Sequence, residues 1–158
     1  MRFYWVESPV GRIAIAAAPD ADNMIQEISN MQEEKVEFVL SLLQADEASQ
    51  IGLANEELIL EAAGIEFAQI PIADFGVPEN GSEIDSVVLD MAKYLETGGS
   101  LVVHCRGGIG RSSMVVSAIL THLGVKSNDA LRHVEKARGL RVPETTAQRE
   151  WVTDRDSC

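Results

Sequence analysis

The stretch from Leu101 to Leu123 constrains this chain more than any other. Three apolar residues, Leu101-Val102-Val103, lead into His104-Cys105-Arg106-Gly107-Gly108-Ile109-Gly110-Arg111-Ser112-Ser113, and an apolar helical pattern from Met114 to Leu123 leads out. A short apolar run, a Gly-rich turn and a longer apolar segment predict a strand, a tight loop and a buried helix. Glycines in such a loop let the backbone curl so that successive N–H groups point into one concave space. The helix that follows adds its own unpaired N–H groups and the positive end of its dipole. This cradle suits a phosphate or another tetrahedral oxyanion. Arg111 stands where a guanidinium can grip two of the anion's oxygens, and the same positive field favours the thiolate of Cys105, the form that acts as a nucleophile. A buried, inert cysteine at a strand end is the plainer alternative; Arg111 and Ser112 at fixed spacing from it argue for chemistry.

The order His-Cys, five residues, Arg, Ser resembles the signature of the cysteine-based protein tyrosine and dual-specificity phosphatase superfamily, and every position of that pattern is filled. The resemblance runs from about Val36 onward. In its compact length and its Pro71-Ile72-Ala73-Asp74 loop the chain looks closest to the kinase-associated phosphatase branch. The resemblance implies one dual-specificity-phosphatase-like catalytic domain over residues 1–158, with an N-terminal β-hairpin over 1–18. It further implies metal-independent hydrolysis of phosphotyrosine, extending to phosphoserine and phosphothreonine, through a phosphocysteine intermediate and with no cofactor.

Each role carries over onto a matching residue. Cys105 is the nucleophile. The backbone of Arg106, Gly107, Gly108, Ile109, Gly110 and Arg111, with the Arg111 guanidinium, binds the phosphoryl oxygens. Ser112 donates to the sulfur, with a helix N-cap as its alternative role. His104 orients the loop. The general acid of the family sits on a loop in the region of Asp74, which lies between Pro71 and Pro78; the alternative is a turn residue beside Gly76. Ile72-Ala73-Asp74 replaces the Trp-Pro-Asp of the larger tyrosine phosphatases, a departure that bears on loop closure. Asp85 and Glu79 are weaker candidates, one inside a predicted helix and the other more distant. Some family members position the hydrolytic water with a late glutamine, which makes Gln148 a candidate; Thr145-Thr146-Ala147-Gln148 equally fits a capping box, and we favour the cap. Arg138 and Arg141 are read as pairing with Glu135 and Glu144.

Composition narrows the setting. Of 158 residues, 46% are hydrophobic and 24% charged, the balance of a globular domain. No apolar run approaches the ~20 residues that span a bilayer, and Met1 to Glu7 lacks the apolar core of a signal peptide. The two cysteines, Cys105 and Cys158, do not make a disulfide framework. We therefore expect a cytoplasmic protein, with Cys158 a terminal residue of no special role. A formal net charge of −12 argues against nucleic-acid and anionic-membrane binding. The expected partner is a phosphoprotein or phosphopeptide, with no nucleic acid, no membrane and a monomeric state. No His/Cys/Asp cluster has metal-ligand spacing.

Other function classes remain open at this point. One is a phosphatase for a phosphoinositide, an inositol phosphate or an RNA 5′-phosphate; the loop offers only Arg106 as an extra cation for such highly charged substrates. Another is a phosphate-recognising binding module without catalysis. Rhodanese and arsenate reductase loops are similar in outline but lack the upstream acid loop.

Along the rest of the chain, Phe3–Val6 and Gly11–Ala17 predict a hairpin on a sheet edge, since Pro9 cannot sit in a central ladder. Asp22–Glu34 predicts a helix with Met24, Ile25, Ile28 and Met31 on one side. Val36–Leu42 and Glu66–Ile70 predict strands. Asp46–Ile51 and Asn55–Ala63 predict short helices, the second capped by Asn55. Ser82–Glu96 predicts a long helix with Ile84, Val87, Val88, Met91 and Leu95 buried. Asn128–Ala137 and Thr146–Thr153 close the chain as helices. Alternating strands and helices define an α/β fold: a central, largely parallel twisted sheet of about 4–6 strands, flanked by helices on both faces, as a phosphatase-like single domain.

Overall fold

The computed structural model describes residues 1–157. Five strands form one sheet in the order β1-β2-β5-β3-β4. They are β1 (Tyr4–Val6), β2 (Arg12–Ala16), β3 (Phe38–Ser41), β4 (Glu66–Gln69) and β5 (Ser100–His104). β1 is antiparallel to β2, with Trp5 opposite Ala14, and forms the edge as the hairpin predicts. The other pairings are all parallel, with β5 in the centre between β2 and β3. A central parallel strand is covered on both faces, and all five residues of β5 are buried.

Side-chain alternation along the strands sorts the core into two layers. Leu101 and Val103 of β5, with Ile13 and Ile15 of β2, face one layer. That layer is built by α4 (Gly81–Glu96), α5 (Gly110–His122), α6 (Ser127–Arg138) and α7 (Thr146–Thr153). Val102, Ala14 and Ala16 face the other layer, with Met31 of α1 (Met24–Glu33) and Leu60 of α3 (Glu56–Ala62). The remaining helix, α2 (Ala45–Gln50), lies just after β3. The fold is therefore the α/β sandwich read from the sequence, and the described residues form five strands and seven α-helices. No helix among the described residues is long and apolar enough to cross a membrane.

Three local expectations are corrected. Ile25 is 90% exposed, and the inward position on α1 goes instead to Glu27, whose carboxylate meets the Met1 amine at 2.6 Å. An ion pair thus takes a place that hydrophobic spacing assigned to the core. Asn55 stands at the start of α3 without a side-chain capping bond. Val87 is only partly buried, while Ala92 completes the inner face of α4. Cys158 lies outside the described residues.

Parallel pairing puts the carboxyl ends of β2, β3, β4 and β5 on the same side of the molecule. In α/β sheets that side carries the ligand crevice. The Gly-rich loop leaves β5 there, and the Asp74 loop leaves β4 there.

Candidate active site

The loop from Cys105 to Gly110 is seated on the ends of neighbouring strands. Leu42 N–H donates to the His104 carbonyl (2.9 Å) and Ala18 N–H to the Arg106 carbonyl (3.1 Å). Gly108 has φ +66, and a Cβ there would lie 2.7 Å from Ala16 C and Ala17 N. Only glycine lets the loop lie that close to the end of β2. On the other side the Arg138 Nε–H donates to the Gly108 carbonyl (2.7 Å), while its guanidinium stacks on Tyr4 at 4.0 Å. The expected Arg138–Glu135 pair does not form, because Glu135 is taken by Arg149 at 2.7 Å.

α5 begins at Gly110, so Arg111 and Ser112 occupy its first turn. This places Ser112 inside the helix rather than at the N-cap, and its hydroxyl lies 3.3 Å from the Cys105 sulfur. Cys105 is 3% exposed.

Arg111 is the largest fully buried side chain of the protein. Its Nη1 and Nη2 both donate to Glu47, at 2.8 and 2.9 Å, and Nη1 also donates to the Ile72 carbonyl at 3.0 Å. Burial alone would favour loss of the Arg111 proton. The hydrogen-bonded Glu47 and the nearby Cys105 and Asp74 outweigh that penalty and hold the guanidinium above its usual range. In turn the Arg111 hydrogen bonds hold the Glu47 carboxyl below the usual carboxylate range, against the opposing effect of burial. Glu47 also closes a capping box with Gln44 at the start of α2, which fixes the carboxylate's position.

Asp74 joins this group from the other side, its Oδ1 3.3 Å from Arg111 Nη2 and its side chain half-exposed. The loop that carries it is a tight turn, with Gly76 N–H donating to the Ala73 carbonyl at 2.8 Å and Phe75 at φ +59 between them. Asp85 and Glu79 do not join: Asp85 pairs with Arg155 at 2.9 Å on α4, and Glu79 is exposed beyond Pro78.

His104 is fully buried between two acceptors. Its Nδ1 meets the Cys105 carbonyl at 3.1 Å, and its Nε2 meets Glu56 Oε2 at 2.8 Å. A carbonyl only accepts, so Nδ1 carries a proton. Gln148 is likewise buried and forms the capping box with Thr145. Its Nε2 also donates to the Gly76 carbonyl at 3.0 Å.

The structure therefore brings together Cys105, Arg111, Ser112, His104 and Asp74 and puts Gln148 beside the acid loop. Glu47 and Glu56 complete the group and were not singled out from sequence. Each starts or nearly starts a short acidic helix, and nothing in so short a pattern tells which carboxylate turns inward. Arg106 stands exposed at the mouth. Among the described residues no group of three or more His, Cys, Asp or Glu is placed to hold a metal ion.

Comparison with known proteins gives the family and the fold. Residues 16–125 match the family described as Tc-R-P: Polymorphic toxin system, DSP-PTPase phosphatase. The chain belongs to this family of dual-specificity and protein-tyrosine-type phosphatases. Among curated proteins it is similar to protein tyrosine phosphatase type IVA 3 of Homo sapiens, with 37% identity over 81 residues, covering 50% of this chain and 46% of that protein. It is also similar to cyclin-dependent kinase inhibitor 3 of Rattus norvegicus, with 24% identity over 132 residues, covering 82% and 62%. The chain thus spans about half to three-fifths of the length of these relatives. The crystal structure of kinase-associated phosphatase, with its catalytic-site cysteine replaced by serine, superposes with a TM-score of 0.88 over 99% of this chain and 95% of that one. At 19% identity that likeness is one of fold.

Proposed function

We propose that this chain is a metal-independent protein phosphatase that hydrolyses phosphotyrosine, with phosphoserine and phosphothreonine as further substrates, through a phosphocysteine intermediate. The observation that carries this reading is the convergence of three groups. Cys105 opens the Gly-rich loop, Arg111 is locked beside it by Glu47 and Ile72, and Asp74 is held 3.3 Å from that guanidinium.

On this reading the groups act in two steps. Three of the five Arg111 N–H donors are committed to Glu47 and Ile72. The remaining two are the Nε–H and one Nη2–H, the latter on the nitrogen 3.3 Å from Asp74 Oδ1. With Asp74 protonated as the acid, these donors and the loop N–H groups bind the phosphoryl oxygens where charge spreads in the transition state. The Cys105 thiolate attacks phosphorus, the bond to the leaving oxygen breaks, and Asp74 gives that oxygen its proton. The Asp74 carboxylate then takes a proton from water as the water attacks the phosphocysteine. The S–P bond breaks, inorganic phosphate forms, and the Ser112 hydroxyl donates to the departing sulfur.

Charge at the mouth favours a single phosphate on a protein. The loop's cations are Arg111 and Arg106, while Asp74 and Glu144 place carboxylates at the rim. A Cβ on Gly110 would lie 2.6 Å from Glu144 Oε1. Such a rim repels a substrate carrying several phosphates. The lack of a disulfide framework supports a reducing, cytoplasmic setting.

The test is hydrolysis of phenyl phosphate, a phosphotyrosine peptide and a phosphoinositide by wild type, Cys105→Ser and Asp74→Asn, with chelator present. Wild type should hydrolyse the first two, and Cys105→Ser neither. Asp74→Asn should lose about 10²-fold in kcat, the lower end of the usual general-acid contribution. Preference for the phosphoinositide overturns the substrate class, and turnover by Cys105→Ser overturns the mechanism.

A further inference from the structure

We propose that Gln148 is a positioning residue that latches the Asp74 loop over the Gly-rich loop and so determines whether the acid is in place; this rests on the reading of Asp74 as general acid. The neighbours of the Gln148 amide fix which end is which. One end accepts from Glu144 N–H at 3.2 Å and Thr145 N–H at 3.3 Å, so it is the carbonyl oxygen. The other end faces the Gly76 carbonyl at 3.0 Å, so it is the NH2 group. The side chain is 0% exposed. Water therefore offers no substitute for either contact.

The amide also touches the cradle. A Cβ on Gly110 would lie 3.0 Å from Gln148 Oε1 and 3.3 Å from Nε2, so the amide rests on the residue just before Arg111. One side chain of α7 thus meets both the start of α5 and the turn that carries Asp74.

That turn needs outside support. Its third residue, Phe75, has φ +59, a position where such turns favour glycine. Ala73 to Phe75 are exposed, so little packing holds the turn itself. Arg111 engages the segment at Asp74 and at the Ile72 carbonyl, and Gln148 engages it at Gly76. Ile72 anchors the start of the segment through its buried side chain and its N–H to the Leu42 carbonyl at 3.1 Å, and Val77 packs on the core beyond the turn. Between them, Gln148 supplies the side-chain bond at the Gly76 end, which the Arg111 contacts do not reach.

Gln148→Glu separates the latch from the cap. Glutamate at this position is itself a capping-box residue, so α7 keeps its acceptor. The second oxygen, however, replaces the donor and opposes the Gly76 carbonyl. Two substrates then report on the acid: phenyl phosphate, whose leaving oxygen needs a proton, and 2,4-dinitrophenyl phosphate, whose leaving group departs as the anion. We expect the ratio of kcat/KM for phenyl phosphate to that for the dinitrophenyl ester to fall about 10-fold or more, towards the Asp74→Asn value. This ratio reports the steps up to departure of the leaving group, not the later attack of water, and cancels any change in phosphate binding common to both. Gln148→Met, which loses both contacts without adding repulsion, should show the same selectivity if Gln148→Glu does not fold.

Equal losses of kcat/KM on both substrates would overturn the latch, as would wild-type kcat/KM on both. If Asp74→Asn keeps wild-type activity on phenyl phosphate, the general-acid reading itself fails. If Asp74→Asn is impaired while Gln148→Glu and Gln148→Met are not, the acid stands and the latch alone is wrong.

Discussion

The two halves of the site are built in opposite ways. The sulfur half is part of the core: Cys105, Gly108, Gly110, Arg111 and Ser112 are all buried, and α5 is buried from Gly110 through Leu120. The proton half is a surface turn, in which Ala73, Asp74 and Phe75 are exposed and a few polar contacts supply the hold. Donors that stabilise a developing charge work best when they need no rearrangement, which a packed core guarantees. A group that gives up a proton and then takes one from water must stay in contact with solvent and substrate. Preorganisation here is of two kinds: the anion cradle is fixed by core packing, and the acid by a few side-chain contacts at the surface.

Gly108→Ala should break the cradle with the largest effect on stability. The new Cβ would sit 2.7 Å from the backbone at Ala16 and Ala17, on a residue at φ +66. Left-handed strain of about 1–2 kcal/mol and overpacking of about 1–3 kcal/mol combine, so we expect a loss of roughly 2–4 kcal/mol in urea denaturation. Turnover of an aryl phosphate should fall with it, because the loop must move to relieve the clash. A loss below about 1 kcal/mol would mean that the cradle yields as easily as the acid loop.

Glu47→Gln probes the cradle from behind. It replaces a charged acceptor of the buried Arg111 with a neutral one, and breaking a buried pair outright costs about 3–5 kcal/mol. Since the amide keeps one acceptor, about 1–3 kcal/mol is expected at neutral pH. The Arg111 hydrogen bonds lower the Glu47 carboxyl in the folded state. Its contribution is therefore full above the ordinary glutamate range, about 4.3, and is lost as pH falls through the lowered folded value. Stability curves of wild type and Glu47→Gln should thus stay apart from about pH 5 upward and converge below about pH 4. Curves separated by a constant amount down to low pH would show that the Glu47 charge is not what holds Arg111.

How far the sequence reveals this site follows the same division. The cradle is contiguous in sequence, so strand, loop, nucleophile and guanidinium are legible together from residues 101–123. Asp74 is legible because two prolines and a glycine mark its loop at the end of a strand. The supporting carboxylates are not legible. Glu47 and Glu56 reach Arg111 and His104 from helices of six and seven residues, too short for periodicity to separate an inner face from an outer one. Ile25 shows the converse failure, where apolar spacing points inward but the Met1–Glu27 ion pair occupies the inner face of α1. Gln148 is legible as a cap from four consecutive residues, whereas its bond to Gly76 spans 72 positions and depends on tertiary packing.

The gentlest test swaps the backbone requirement at the other positive-φ position. Phe75 holds φ +59 with its ring 60% exposed, so it bears left-handed strain and buries little in return. Phe75→Gly should relieve about 1–2 kcal/mol of that strain. The freer unfolded chain of a glycine offsets about 0.5–1 kcal/mol of the gain. We expect a net change between zero and about 1 kcal/mol of stabilisation in urea denaturation, with phenyl phosphate still hydrolysed at a rate well above Asp74→Asn. The contrast with Gly108→Ala is the point of the pair: in the core a methyl group on a left-handed residue should be ruinous, and on the acid loop removing a whole ring should cost nothing. If Phe75→Gly instead destabilises the protein by more than about 1 kcal/mol, the ring anchors the turn. The acid loop would then be locked by packing much as the cradle is, and the contrast between the two halves would not hold.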